Sequence, residues 1–126
     1  MIKMNEIVIT TAKRLPIGKF MGSLSNFSAP ELGSSVIDSV ISESGVSKDL
    51  IDEIIMGQVL TGGSGQNPAR QASMLSDLPE KVSALTVNQV CGSGLRSVII
   101  ACQSILSGQS EIVIAGGQES MSNAHH

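Results

Sequence analysis

Aromatic side chains are almost absent from this sequence: Phe20 and Phe27 are the only two, and there is no Trp or Tyr. A core made from it must be aliphatic. Basic blocks are missing as well, since 8 Lys and Arg face 11 Asp and Glu for a formal net charge of −3. Neither nucleic acid nor an anionic membrane surface is expected as a partner. There is no run of apolar residues long enough to span a bilayer, and Met1 to Thr10 sets Lys3 and Glu6 around a short apolar segment. Without a transmembrane span or a secretory leader, the cytoplasm is the expected location. What remains is 126 residues, 41% of them hydrophobic, enough for one small domain with a core of its own.

Cysteine and histidine are scarce too. If Cys91 opens a helix, Cys102 lies roughly 16 Å along it at about 1.5 Å per residue, whereas a disulfide needs Cα atoms within about 7 Å. The two thiols are therefore neither an intrachain disulfide nor a nucleophile with its resolving partner, and the same distance excludes a shared metal site. His125 and His126 sit at the end of the sequence, where side chains are usually solvated or unordered. No metal is expected.

Read in order, the chain alternates. Glu6 to Ala12 is a β-branched apolar run that predicts a first strand buried on both faces, and Arg14 to Gly22, with Pro16, Gly18 and Gly22, predicts an extended loop. Ser28-Ala29-Pro30-Glu31 is a capping box. The helix it opens carries Leu32, Val36, Ile37, Val40 and Ile41 on one stripe and closes at Gly45. Glu53 to Leu60 predicts a second strand, with Gly57 marking a bulge or a close approach. After the glycine-rich loop Thr61 to Gln66, Asn67-Pro68 starts a second helix that runs to Ser76. Ala84 to Val90 predicts the third strand and Ile112 to Ala115 the fourth. Such alternation gives an α/β fold with a mostly parallel sheet and helices on both faces, and ligands gather at the carboxyl ends of its strands.

The stretch that organises the rest is Ala84 to Ile105. Alternating Leu85, Val87 and Val90 stop at Cys91, Gly92-Ser93-Gly94 makes a turn, and Leu95, Val98, Ile99, Cys102, Ile105 and Leu106 resume at helical spacing. That pattern is a strand, a tight turn carrying one thiol, and a helix whose first N–H groups face the thiol; the helix dipole favours a thiolate there. Two readings stand on spacing alone: a cysteine nucleophile with oxyanion donors beside it, or an ordinary buried cysteine. Cys102 falls with Leu95, Val98 and Ile99 and is read as core. Arg70 reads as a structural ion pair or interface residue rather than a phosphate ligand, and Glu119 as a residue that fixes a loop or as a general base.

The segments VNQVCGSGL, GQNPARQA (Gly65 to Ala72), RLPIGKFMG (Arg14 to Gly22) and AGGQESMS (Ala115 to Ser122) resemble, in order and spacing, those of the thiolases, and the CGSGL form is similar to that of the biosynthetic branch. The resemblance runs from Glu6 to Ser122 and covers about the first third of the family's length. It lapses at His125-His126, where the family continues with proline and then histidine. It implies residues 1–126 as a partial thiolase N-terminal domain, with the last strand of its sheet and the loop domain absent. Also implied is an acyl-thioester nucleophile at Cys91, with acetyl-CoA and acetoacetyl-CoA as substrates and no cofactor. The reaction implied is the condensation of two acetyl-CoA. Its activating histidine and second cysteine belong to the family's C-terminal half, so the chain is expected to be inactive alone. At most it would then be an interaction module. A 3-ketoacyl-CoA thiolase is the alternative within the family. Homo-oligomers are implied as well, paired through the strand that leads into Cys91.

Overall fold

The computed structural model describes residues 6–125. Helix α1 spans Ala29–Ser44 and begins as its sequence dictates: the Ser28 N–H donates to Glu31 Oε2 at 2.7 Å while Glu31 N–H donates to Ser28 Oγ at 3.4 Å. These contacts, the backbone one first, hold the Glu31 carboxyl below its ordinary value. At the other end Gly45 takes the left-handed conformation, φ 68°, and returns its N–H to Ile41 O, a geometry that glycine adopts without a Cβ penalty.

Strand β1 (Glu53–Gly57) is followed by α2 (Pro68–Leu75), β2 (Ser83–Val87), α3 (Ser93–Leu106) and β3 (Val113–Gly117). Lys48–Leu50 and Met121–Asn123 form single 3₁₀ turns. The sheet is wholly parallel in the order β2-β1-β3, with Ile55 level with Leu85 on one side and Ala115 on the other. Alternation along β1 divides its side chains between two faces. Ile54 and Met56 join Ile37, Ala69, Ala72, Leu78 and Val82 in the aliphatic core beneath α1 and α2, where full burial of each large side chain is worth about 1.5–3 kcal/mol. Glu53 and Gly57 face α3 instead, and Glu53 Oε2 accepts from Ser104 Oγ at 2.8 Å and Ser110 Oγ at 3.2 Å. Helices therefore cover both faces, as the alternation predicts.

Three expectations fail, each for a physical reason. Residues 6–12 form no strand, and Val8 and Ile9 are 65% and 78% exposed. β-branched composition describes a surface suited to pairing, but a strand exists only where a neighbour supplies the ladder, and the sheet described ends at β3. A parallel α/β sheet of three strands, not four, results. The second failure concerns α3. Its buried residues are Ser93, Ser97, Ala101 and Ser104, whereas Leu95, Ile99 and Leu106 are 69%, 40% and 56% exposed and Cys102 is half-buried. Glycines on the floor of the sheet explain the inversion. A Cβ at Gly117 would touch Gly94 Cα at 3.4 Å, so the helix lies too close for any but small side chains, and the large ones turn outward. Thirdly, β1 and β2 stop earlier than the apolar runs do, because Asn88 and Glu119 divert the backbone into loops described below.

Candidate active site

The carboxyl ends of β1, β2 and β3 lie together, and α3 begins over them. Gly57 makes this approach feasible: a Cβ there would meet the Ser93 carbonyl carbon at 2.5 Å and Gly94 N at 2.8 Å. Ser97 Oγ then ties the helix down, donating within reach of Gly94 O at 2.6 Å and Gly116 O at 2.8 Å. Glycines in the strands and serines in the helix thus fix where α3 starts, and so fix the turn before it.

That turn carries Cys91, which is exposed. Val87 O, the last carbonyl of β2, accepts from Gln58 N–H at 3.0 Å. Asn88 then folds back on the chain: its Oδ1 accepts from Val90 N–H at 2.8 Å and its Nδ2 donates to Val59 O at 3.2 Å. Val90 follows with φ 49°. A left-handed backbone costs an L-residue roughly 1–2 kcal/mol, and a β-branched residue there is an outlier of the kind found at functional turns. The strain throws Cys91 out of the strand direction before the helix begins.

Two donors near the thiol are already engaged. Gly92 N–H is taken by Gln89 O at 3.0 Å and Ser93 N–H by Val90 O at 3.1 Å. The turn uses these two donors itself. Helix α3 also lacks a side-chain cap.

Sequence reasoning missed how completely the surrounding loops are tied. Glu119 Oε1 and Oε2 accept from Val59 N–H at 2.8 Å and Leu60 N–H at 3.2 Å, which makes it the carboxylate that bends the chain after β1. Gln118 Nε2 donates to Gln58 Oε1 at 3.0 Å, both amides being buried. Arg70, read as a structural ion pair or interface residue, makes no ion pair among the described residues. Its guanidinium donates to two carbonyls, Val82 O at 2.8 Å and Glu80 O at 3.2 Å, and so fastens α2 to the approach of β2. Asn67, left-handed at φ 39°, caps α2 and accepts from Thr86 Oγ1 at 2.7 Å. GQNPARQA is accordingly the docking segment of α2 on β2. The Asn88-x-Val90 pattern was the available signal for the turn, since Asn commonly caps the N–H two residues on.

Of the other candidates, His125 is exposed and packs against Gly63, and His126 lies outside the described residues. A cavity of about 260 Å³ is lined by Ser28, Gln58, Leu60, Ser64, Gln71 and Asn123, without Cys91. Among the described residues no helix is long and apolar enough to cross a membrane.

An α/β sheet whose glycine-floored carboxyl edge carries a strained turn, an exposed cysteine and a helix defines a class of protein with a thiol presented at a strand-to-helix junction. The family described as Thiolase, N-terminal domain, matches residues 7–126, and the chain belongs to that family. It is 54% identical over 123 residues to an acetyl-CoA acetyltransferase of Cupriavidus necator, a match that covers 98% of this chain and 31% of that protein. An acetyl-CoA acetyltransferase of Allochromatium vinosum is 54% identical over 124 residues, covering 98% of this chain and 32% of its own. One of Pseudomonas aeruginosa is 50% identical over 121 residues, covering 96% and 31%. The chain spans about a third of the length of the curated relatives it matches.

Proposed function

We propose that this chain is the nucleophile-bearing portion of an acetyl-CoA acetyltransferase, with Cys91 as acyl acceptor. The observation that carries the proposal is the exposed thiol on a turn strained at Val90, at the carboxyl edge of the sheet. The Cys91 thiolate attacks the thioester carbonyl of acetyl-CoA. A tetrahedral oxyanion forms and collapses, the bond from carbon to the CoA sulfur breaks, and CoA leaves as its thiol once protonated. A second acetyl-CoA then loses a methyl proton to a base, its carbanion attacks the acetyl-cysteine, and acetoacetyl-CoA departs as the Cys91 thiolate is regenerated. Acyl transfer and Claisen condensation of thioesters call for no metal or redox cofactor.

Two groups that this chemistry requires, a base to activate the thiol and a base for the methyl proton, are the histidine and second cysteine that the thiolase resemblance places beyond the third of the family's length spanned here. Each positioned acid or base contributes typically about 10²- to 10⁴-fold. The oxyanion needs donors other than the Gly92 and Ser93 N–H groups, which are spent on the turn. Turnover therefore belongs to the chain joined or mixed with the remaining portion. Thiolysis of acetoacetyl-CoA, followed by loss of its enolate absorbance, tests this. The chain alone is expected to give no CoA-dependent turnover, and addition of the remaining two-thirds of a relative is expected to give turnover that Cys91→Ala abolishes. Full turnover by the chain alone contradicts the division of labour. No turnover in the mixture, with Cys91 unacetylated, favours the inactive interaction module suggested by the outward apolar face of α3 and by the edge of β2, which has no ladder partner among the described residues.

A further inference from the structure

We propose that Ser93 is a positioning residue for Cys91: its hydroxyl clamps Val90 in the left-handed conformation that turns the thiol out of the strand. The inference rests on the acyl-acceptor reading of Cys91. A strained backbone persists only where its surroundings over-determine it, and both peptide groups around Val90 are held from the side. Ser93 Oγ accepts from Gln89 N–H at 2.8 Å and donates to Val90 O at 2.6 Å. Asn88 Oδ1 takes the Val90 N–H at 2.8 Å. Ser93 is 4% exposed, and a hydroxyl that is both donor and acceptor inside one turn has little capacity left for a substrate. Its own place is fixed by Gly57, over which its backbone sits. Val90, by contrast, is 64% exposed, so its own side chain is poorly placed to hold its φ by burial. The chain of constraint runs from the sheet through Gly57 to Ser93, and from Ser93 to Val90 and the thiol.

The test compares the full chain with Ser93→Ala and with the double variant Val90→Asn/Ser93→Ala, since asparagine enters the left-handed region several-fold more readily than valine. Three quantities are read: the intraresidue amide–α-proton NOE at residue 90, strong when φ is positive; the rate of acetyl transfer from acetyl-CoA to Cys91; and the iodoacetamide rate at Cys91 relative to Cys102. Ser93→Ala is expected to weaken the NOE and slow both reactions at Cys91 about tenfold, the scale of one lost hydrogen bond, with Cys102 unchanged. The double variant is expected to recover the NOE and most of the rate. A Ser93→Ala protein with the full NOE and full rate overturns the proposal, as does a loss that Val90→Asn fails to restore. Should Ser93→Ala not fold, the double variant decides: folded and reactive supports the clamp, unfolded overturns it. A wild-type Cys91 that alkylates rapidly but takes no acetyl group overturns the acyl-acceptor reading alone, and the NOE and alkylation rates still decide the role of Ser93.

Discussion

Gly57 lies directly beneath the carbonyl of Ser93, so close that a β-carbon on Gly57 would come within 2.5 Å of the Ser93 carbonyl carbon and 2.7 Å of its oxygen. These are backbone atoms and cannot rotate away. Gly57→Ala is therefore expected to lift the start of α3 and to destabilise the fold by about 1–3 kcal/mol, the usual range for overpacking. Gly62→Ala, where nothing lies within 4 Å of the added carbon, is the control and should leave the urea midpoint unchanged. Equal midpoints for the two variants would contradict the packing described.

How much of this was legible in the sequence depends on whether the cause was local. The Ser28–Glu31 capping box, the Gly45 cap and the Asn67-Pro68 start of α2 are encoded within a few residues and stand as read. Residues 6–12 and the orientation of α3 were misread because the deciding partner is remote. The first needs a neighbouring strand, and the second needs to know that Gly57 and Gly117 form the surface on which the helix rests. Large aliphatics at helical spacing mark a face that will be covered, and spacing alone is silent on whether the sheet covers it. Cys91 was singled out because strand, turn and helix signals meet there. Asn88, two residues before Val90, was a local signal for its turn, whereas the Ser93 bonds to Gln89 and Val90 are visible only in the folded chain.

The outward face of α3 has a direct solution consequence. Leu95, Ile99 and Leu106 expose apolar area on one helix, and such patches promote association. Leu95→Lys combined with Ile99→Lys should reduce concentration-dependent scattering while leaving the thermal midpoint nearly unchanged. Ser97→Leu, on the buried face, should instead unfold the protein. A large loss of stability from the lysine pair would mean that this face is already packed.

β2 is an edge strand whose outer side has no ladder partner among the described residues. An open edge invites pairing with a second copy. Self-association through this strand is expected at tens of micromolar protein, by light scattering on the lysine-pair variant, in which the α3 patch is removed. A strictly monomeric species there contradicts edge pairing.

Acid should weaken the fold through two carboxylates. Asp52 is held below its ordinary value of 3.8 by the N–H groups of Glu111 and Ile112 and, more weakly, by Lys81; Glu31 is held below 4.5 by Ser28. A carboxyl whose folded value is lowered contributes its stability fully above the unfolded value and loses it as pH falls through the folded one. Stability should hold from neutrality to about pH 5 and decline below it. Asp52→Asn should be less stable than the parent at neutral pH and show a shallower acid decline. Parallel pH profiles for the two proteins would contradict the assignment.

The central claim is that Cys91 accepts an acyl group, and the most direct measurement is peptide mapping by mass after incubation of the folded chain with acetyl-CoA at neutral pH. The account predicts slow acetylation at Cys91, none at Cys102, and none anywhere on Cys91→Ala. An unmodified Cys91 that iodoacetamide nevertheless alkylates, or acetyl groups divided equally between the two cysteines, would contradict it.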